Sequence, residues 1–505
     1  MNGDLAQLTA ESLALMKNAT TSGIQVATGF QFFDLESKAK RLYPVLTPLR
    51  NQIARVTKSG YGTQPHWKVL TNVNASAFNG GGPTSIFIGV SEGNRNAVIP
   101  TSEVDYTAPY KGIGLENSVT FEADYAGQGF DDLRSLAQIT LLESTMIGEE
   151  NMILTGNTSL QLGTCPTPTG VASGTNGSFG AGTAFFFCVA LTPLGLQFAG
   201  GLAAASTAAL AQAVIGSFIR NNADGSSDTI NGGSGQISAQ GSVSTASTNQ
   251  VVISVAATKG AAAYAWFVGT TTGAANCKLA GITSIPTITV LGAGNAGNQA
   301  ANYTGSGTDN STNALSYDGL VTMALTGLGG TPGYYNSLGG VALTSDGHGG
   351  VNEIDAALKS FWDVSRLSPD DIWVGSNLAK EISNITLAGT SNPVFNIVLG
   401  KDGEQGSLTA GSLVTQYLNK YTMDGAKKVM IRLHPFMPQG WIFFNLTHTP
   451  YPNANIPGVA RMVTRQEYYS KEWPVVTRKY QYGVYADEVL QHYIPFGMGL
   501  IQDVA

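Results

Sequence analysis

Residues 131–156 carry the longest helical pattern in the chain. Asp131 and Asp132 open it, where a helix N-terminus favours negative charge. No Pro or Gly interrupts it before Gly148, and Gly156 closes it at a position suited to a left-handed cap. Leu133, Leu136, Ile139, Leu142, Met146 and Ile153 recur at helical steps and predict one apolar face, with Leu141, Ile147, Met152 and Leu154 off that stripe. Ahead of it, residues 4–17 predict a short amphipathic helix through Leu5, Leu8, Leu13 and Met16. A second helix over 33–43 is broken at Pro44 and Pro48. Neither buries enough to fold alone, so this is an arm that lies on something else. From 64 to 125 the period becomes two: Trp67, Val69, Thr71 and Val73, then Val104 and Tyr106, then Val119 and Phe121. Turn-rich stretches at 79–83 and 89–96 separate these strands, making a β-excursion longer than a compact hairpin needs. Uncovered, it is an aggregation hazard that a neighbouring subunit would relieve.

After the long helix the pattern changes again. Between residues 157 and 336 the charged residues are Arg220, Asp224, Asp228, Lys259, Lys278, Asp309 and Asp318. Gly, Ala, Ser, Thr and Asn dominate, with strand patterns at 184–191, 251–255, 263–268 and 285–291. The second and third of these suggest a hairpin around Lys259-Gly260. Residues 203–219 read as helical and 224–244 as a flexible loop. Near Ser316 ordinary composition returns: a short helix begins at 317–320, and a Gly-rich linker covers 327–350. Ile354, Leu358, Phe361 and Trp362 mark an amphipathic helix over 351–363, followed by a strand at 371–374 and a helix at 376–385. Strands at 428–433 and 441–446 complete an α/β unit over 351–452. Residues 461–505 are strand-rich, with Tyr480, Tyr482 and Val484 in alternation.

The 505-residue length suggests about three domains. The net charge of −7 argues against a protein whose main task is gripping nucleic acid. Cys165, Cys188 and Cys277 are too scattered for a disulfide framework or zinc site and read as buried thiols. The start of the chain has no signal-peptide pattern, and the uncharged stretch 201–218 is too Ala-rich to span a membrane. Gly292, Gly294 and Gly297 match GxGxxG after a strand-like run, but 298–313 offers no helix to receive a pyrophosphate. His66, His348, His434, His448 and His492 show no metal-ligand spacing, and Asp346, Glu353 and Asp355 flank a solvated turn rather than a calcium loop. Glu143, Glu149 and Glu150 have the makings of an acid–base pair, but an ion-pairing or solvent-facing strip explains them better. The expectation is no catalytic, metal or cofactor site, and a protein that is not an enzyme.

Several stretches carry a family likeness in their order. These are Ser91-Glu92-Gly93 with Tyr110-Lys111-Gly112, Gly127 through Leu133, Gly148-Glu149-Glu150 with Ile153-Leu154-Thr155-Gly156, and Tyr493-Ile494-Pro495 through Ile501. Over residues 2–156 and 316–505 the chain resembles the major capsid proteins of tailed bacteriophages, which have the Hong Kong 97-type fold. The resemblance implies an α+β chain in six parts. They are an N-terminal arm with the start of the peripheral domain (1–63), an extended β loop (64–110), and the peripheral domain with its spine helix (111–156). An inserted all-β sandwich-like domain (157–336, with 316–336 assignable to either side), an axial domain with its linker (337–455) and peripheral strands (456–505) follow. Around Val252, Val255, Tyr264 and Phe267 the insert resembles an immunoglobulin or fibronectin type III module over 245–291.

The implied function is self-assembly into pentamers and hexamers of an icosahedral virion shell around double-stranded DNA, put together in a bacterial cytoplasm. The DNA would be contacted weakly and without sequence specificity, and no membrane is involved. No long charged leader precedes the arm, so a fused scaffolding segment is either absent or already removed, and a separate scaffolding protein is expected, alongside a portal and a decoration protein. Lys68 and Lys111 lie in the loop region, but no Asn partner for a cross-link is identified. The insert is expected on the outer surface, as a brace or for host contact. Two other readings are an encapsulin-type compartment with protein cargo and a cell-surface adhesin built on the β module.

Overall fold

The computed structural model describes residues 41–505 apart from 58–61, 74–87, 97, 99–100, 129–130, 175, 205–209, 211, 295–296, 305–307, 389–413, 424, 452–453 and 457. The helices expected at 4–17 and over most of 33–43, and the turn at 79–83, lie outside the described residues; 41–43 are not helical.

The long helix spans Leu133–Thr155 and is capped by Asp132, whose side chain accepts from the amides of Arg134 and Ser135. It packs on a four-stranded sheet ordered β1-β19-β20-β4 (Ala54–Thr57, Ala460–Glu472, Lys479–His492 and Lys111–Thr120). β1 runs parallel to β19, and the other pairs are antiparallel. The buried face of the helix is not the expected stripe. Ala137, Leu141, Thr145, Glu149 and Ile153 turn inward at four-residue steps, with Glu150 and Leu154 beside them. Ile139 and Leu142 are 42% and 36% exposed. A count of apolar residues cannot detect this face, because its two acids are held by hydrogen-bond and ionic partners distant in sequence. Gly156 is also not in a left-handed cap: its φ is −52°. Glycine is required there because a Cβ would lie 2.3 Å from the carbonyl oxygen of Tyr317 and 2.6 Å from that of Met152. Phe121, expected in a strand, instead begins a helix over Phe121–Gly127, and its ring packs 4.8 Å from Tyr480.

β2 (His66–Val73) and β3 (Thr101–Thr107) pair antiparallel as a two-stranded ribbon. A six-stranded sheet is ordered β14-β21-β18-β15-β17-β16 (Tyr334–Ser337, Gly499–Gln502, Ile442–Asn445, Asp371–Val374, Lys427–Leu433 and Gln416–Asn419). Helices Asn352–Ser365 and Ser376–Ala388 supply Ile354, Leu358, Phe361, Leu378 and Ile382 to its core. Two expectations are corrected here. The supposed linker at 327–350 contains β14, and the closing segment, expected among the peripheral strands, lies inside this sheet between β14 and β18. β21 is apolar on both faces, with Leu500 in one core and Ile501 in the other, as an interior strand requires.

Within 157–336, one sheet is ordered β13-β10-β5 (Thr287–Val290, Gln250–Ser254 and Thr169–Ser173). A second is ordered β12-β11-β6-β9 (Lys278–Thr283, Ala263–Gly269, Gly182–Leu191 and Gly241–Thr245). One buried cluster draws on both sheets: Phe186, Cys188, Tyr264 and Trp266 with Val251, Ile253, Ile288 and Val290. The alternate residues Phe187, Val189, Ala265 and Phe267 face another cluster, with Ala199, Ala203, Val214 and Tyr303. Burial on both faces explains the unbroken apolar runs of β6 and β11. β10 and β11 are not a hairpin, since the Lys259-Gly260 turn carries the chain from one sheet to the other. No helix occurs among the described residues of 203–219. Residues 224–244, expected as a flexible loop, include β8 (Ser227–Ile230), paired with β7 (Phe218–Asn221), and most of β9.

Gly156→Ala is expected to destabilise the chain by about 2 kcal/mol, since both opposing atoms are backbone and cannot swing aside. A lowered Tm measured by calorimetry checks this.

Candidate functional site

The strongest concentration of buried charge lies where the arm, the long helix and both large sheets meet. The arm helix Pro48–Gln52 has no cap from its own Thr47. Glu150 performs that task from the long helix: its two oxygens accept from the amides of Leu49 (2.8 Å) and Arg50 (2.7 Å). The same carboxylate meets His434 Nε2 at 2.7 Å, with both side chains wholly buried. His434 Nδ1 accepts from the Phe436 amide at 3.1 Å, so the proton sits on Nε2 and is donated to Glu150. His434 follows β17, and its ring stands edge-on to Trp373 of β15. A single carboxylate therefore ties arm, long helix and six-stranded sheet together.

Glu149, the preceding residue, points into the four-stranded sheet. It accepts from Arg50 Nε at 2.7 Å, from Arg55 of β1 and from the Tyr468 hydroxyl of β19. Arg55 also reaches Glu488 of β20, and Tyr317 OH reaches Glu488 at 3.3 Å. The Tyr468 ring lies 5.4 Å from the Arg50 guanidinium and 5.1 Å from that of Arg55, adding cation–π contacts. Burial, then the charge of Glu149, pushes the Glu488 carboxyl up to about 8, against the pull of Arg55. Burial also raises the Tyr317 and Tyr468 hydroxyls. The carboxylates are taken up by partners from the arm and both large sheets, and so serve as a joint. The solvent-facing reading fails for Glu149 and Glu150, which are 1% and 0% exposed, while ion pairing holds for Glu149. Glu143 sits apart, 3.8 Å from Arg41.

The remaining sequence candidates do not converge. Residues 292–294 and 297 lead into a loop, and the next helix is the four-residue Ala301–Thr304. Asp346 accepts from the amides of His348 and Gly350, and Lys420 bridges it to Asp355, so this turn is ion-paired rather than merely solvated. Burial pushes His492 down to about 3. The three cysteines are free and buried. Among the described residues no group of three or more His, Cys, Asp or Glu is placed to hold a metal. No helix among them is long and apolar enough to cross a membrane. A cavity of about 470 Å³ opens between the long helix and the β7–β8 hairpin, beside Leu115, Met152, Phe218 and Ile230. Its charged pair, Arg220 and Asp228, is satisfied internally at 2.7 Å.

Sequence reasoning missed Arg50, Arg55, Tyr468, Glu488 and the use of His434. The available signal was the four-residue ladder Leu141, Thr145, Glu149 and Ile153, which places acids in phase with core positions.

No family model matches the chain, and no curated protein does. Among solved structures it is similar to the capsid of Myoviridae phage XM1 (8% identity, 96% of this chain and 100% of that chain, TM-score 0.39). It is similar also to the capsid of cyanophage P-SCSP1u (9%, 96% and 98%, TM-score 0.39). A third is the capsid of a native GTA particle (8%, 95% and 96%, TM-score 0.40).

Glu150→Ala leaves two arm amides and the His434 N–H without their acceptor, and is expected to cost about 3 kcal/mol or more in denaturant unfolding. The raised Glu488 carboxyl sets a pH dependence. The folded state holds this proton more tightly than the unfolded chain, so its contribution to stability is complete below about 4.5 and is lost as pH rises to about 8. Tm followed across that window should fall in the wild type, and more shallowly in Glu488→Gln.

Proposed function

We propose that this chain is a major capsid protein of the Hong Kong 97 type, a non-catalytic subunit whose pentamers and hexamers close an icosahedral shell around double-stranded DNA. The observation that carries this reading is the β2–β3 ribbon. Its root is anchored, with Trp67 and Tyr106 buried and the Trp67 indole donating to the His492 carbonyl at 3.1 Å. Beyond the root, two strands pair with each other and with no third strand among the described residues. Leu70, Ile88, Val90 and Val98 are 59%, 80%, 48% and 94% exposed. A lone two-stranded ribbon is marginal in water, and its free edges invite pairing, so neighbouring copies are the natural cover. Ile139 and Leu142 on the long helix, and Val475 and Val476 at the turn between β19 and β20, add apolar surface for the same purpose. In this reading β2–β3 is the extended loop, Leu133–Thr155 the spine helix and the six-stranded sheet the axial domain. The net charge of −7 suits weak, sequence-independent contact with the packaged DNA. A scaffold, a portal and a decoration protein are the partners it implies.

The insert is read as an immunoglobulin-like module on the outer surface. Its chain order is unlike that of such domains, but its strand neighbours agree. With β5, β10 and β13 as A, B and E, and β9, β6, β11 and β12 as G, F, C and C′, both sheets follow the A-B-E and G-F-C-C′ order. F and G then fall between A and B in the chain, giving the order A-F-G-B-C-C′-E. Cys188 and Trp266 fall on F and C, directly opposite each other. A brace is favoured over a detachable display unit. The turn at 258–262 is fastened to the body by Gln502 to Thr258 O and Gly260 N (2.9 Å each), Lys259 to Leu325 O (2.8 Å) and Trp441 to Ala261 O (3.3 Å).

Electron microscopy of the full chain expressed alone and with a scaffold should show closed particles. Deleting residues 74–100 should leave soluble capsomers or monomers. A full-length chain that stays a monodisperse monomer at high concentration, with the ribbon folded onto its own body, overturns the proposal.

A further inference from the structure

We propose that the arm is docked by a proton-competed latch, in which Arg55 and a proton compete for the buried Glu149–Glu488 carboxylate pair, so that residues 48–57 are held most tightly when both acids are ionised. The geometry supplies the competition. Arg55 spans the two carboxylates, with one guanidinium nitrogen on Glu149 and another on Glu488. The acids themselves are wholly buried, whereas the Arg55 side chain is 22% exposed and arrives on a four-residue edge strand held by β19 alone. Among the described residues, charged and titratable groups reach the pair from several elements. Glu149 comes from the long helix, Arg55 from β1 and Tyr317 from the segment before the Leu320–Thr326 helix. Arg50 from the arm helix and Tyr468 from β19 act on Glu149. Lys111 of β4 lies opposite Glu488 in register, but its Nζ donates to the Ala314 carbonyl at 2.6 Å.

The sign follows from reciprocity. Arg55 lowers the proton affinity of the pair, so a bound proton must weaken the hold on Arg55 by the same factor. With the arm undocked, the pair loses the Arg55 and Arg50 guanidiniums, and the latch requires that loss to outweigh the burial given up with the arm, so that its proton affinity rises. The extra hold on the arm is therefore complete above the undocked value and is lost as pH falls through the docked value of about 8. Global unfolding has the opposite slope, because the unfolded carboxyl titrates far lower. Local arm docking should tighten as pH rises above about 8, whereas overall stability falls between about 4.5 and 8, so the two are separable by experiment. The latch uses contacts within one chain, so it stands or fails independently of shell formation.

Limited trypsinolysis of the full chain from pH 7 to 9 tests it, with cleavage after Arg55 scored relative to cleavage after the exposed Arg478, which cancels the protease's own pH dependence. The expected result is a several-fold fall in that ratio over the range in the wild type, and a ratio independent of pH in Glu488→Gln. A flat wild-type ratio, or an undiminished slope in Glu488→Gln, overturns the latch. Should Glu488→Gln fail to fold, difference infrared spectroscopy decides: the protonated-carboxyl band should titrate near 8 in the wild type and at higher pH in Arg55→Gln. An unchanged midpoint in Arg55→Gln is the opposing result.

Discussion

Two adjacent acids on one helix, Glu149 and Glu150, both withdrawn from water, are the constraint around which the described chain is arranged. Successive helical side chains diverge by about 100°, so the pair cannot share one set of partners. Glu150 turns to the arm amides and His434, and Glu149 to Arg50, Arg55 and Tyr468. Taking a carboxylate out of water costs several kcal/mol, and only good geometry with filled lone pairs offsets it. Every element that supplies a partner is thereby fixed relative to the helix. The joint contributes specificity of arrangement more than net stability: a hydrophobic plug would hold as well but would not dictate which strand lies where.

The β-rich segment 157–318 belongs to the same mechanical unit. Its two ends meet at a neck where Gly319 N donates to Gly156 O and Asn313 N to Asn157 O, 2.8 Å each, while Asp318 accepts from Thr158 and Ser159. Its far turn is buried against Trp441 and Gln502, and Ala262 joins the central core with Leu320, Met323 and Trp441. Two separated attachments prevent the swivelling that a single neck would allow. Force applied to this segment would pass into the long helix at one attachment and into the six-stranded sheet at the other.

Much of this architecture was legible in the chain. The long helix, the strands at 184–191 and 263–268, and the alternation of Tyr480, Tyr482 and Val484 all follow from local periodicity, which needs no distant partner. What escaped was set by long-range contacts. The inward face of the helix is defined by arginines 94 and 99 residues away, which compensate acids that a hydrophobicity count assigns to solvent. β14 hides in a Gly-rich stretch because Tyr334 and Tyr335 become a strand only when β21 lies beside them. Residues 224–244 read as loop because Gly and Ser are frequent there, while the order of 230–238 comes from burial that local composition does not reveal. The buried joint left one trace, an Glu-Glu pair in phase with Leu141 and Ile153, and its partners carry no motif.

The position of β21 has a consequence for synthesis. It sits between β14 and β18, so Tyr334–Ser337 has no neighbour in its sheet until Gly499–Gln502 has left the ribosome. The sheet thus finishes only after translation has delivered nearly all of the residues seen here, and the turn that seats the insert waits on Gln502 as well.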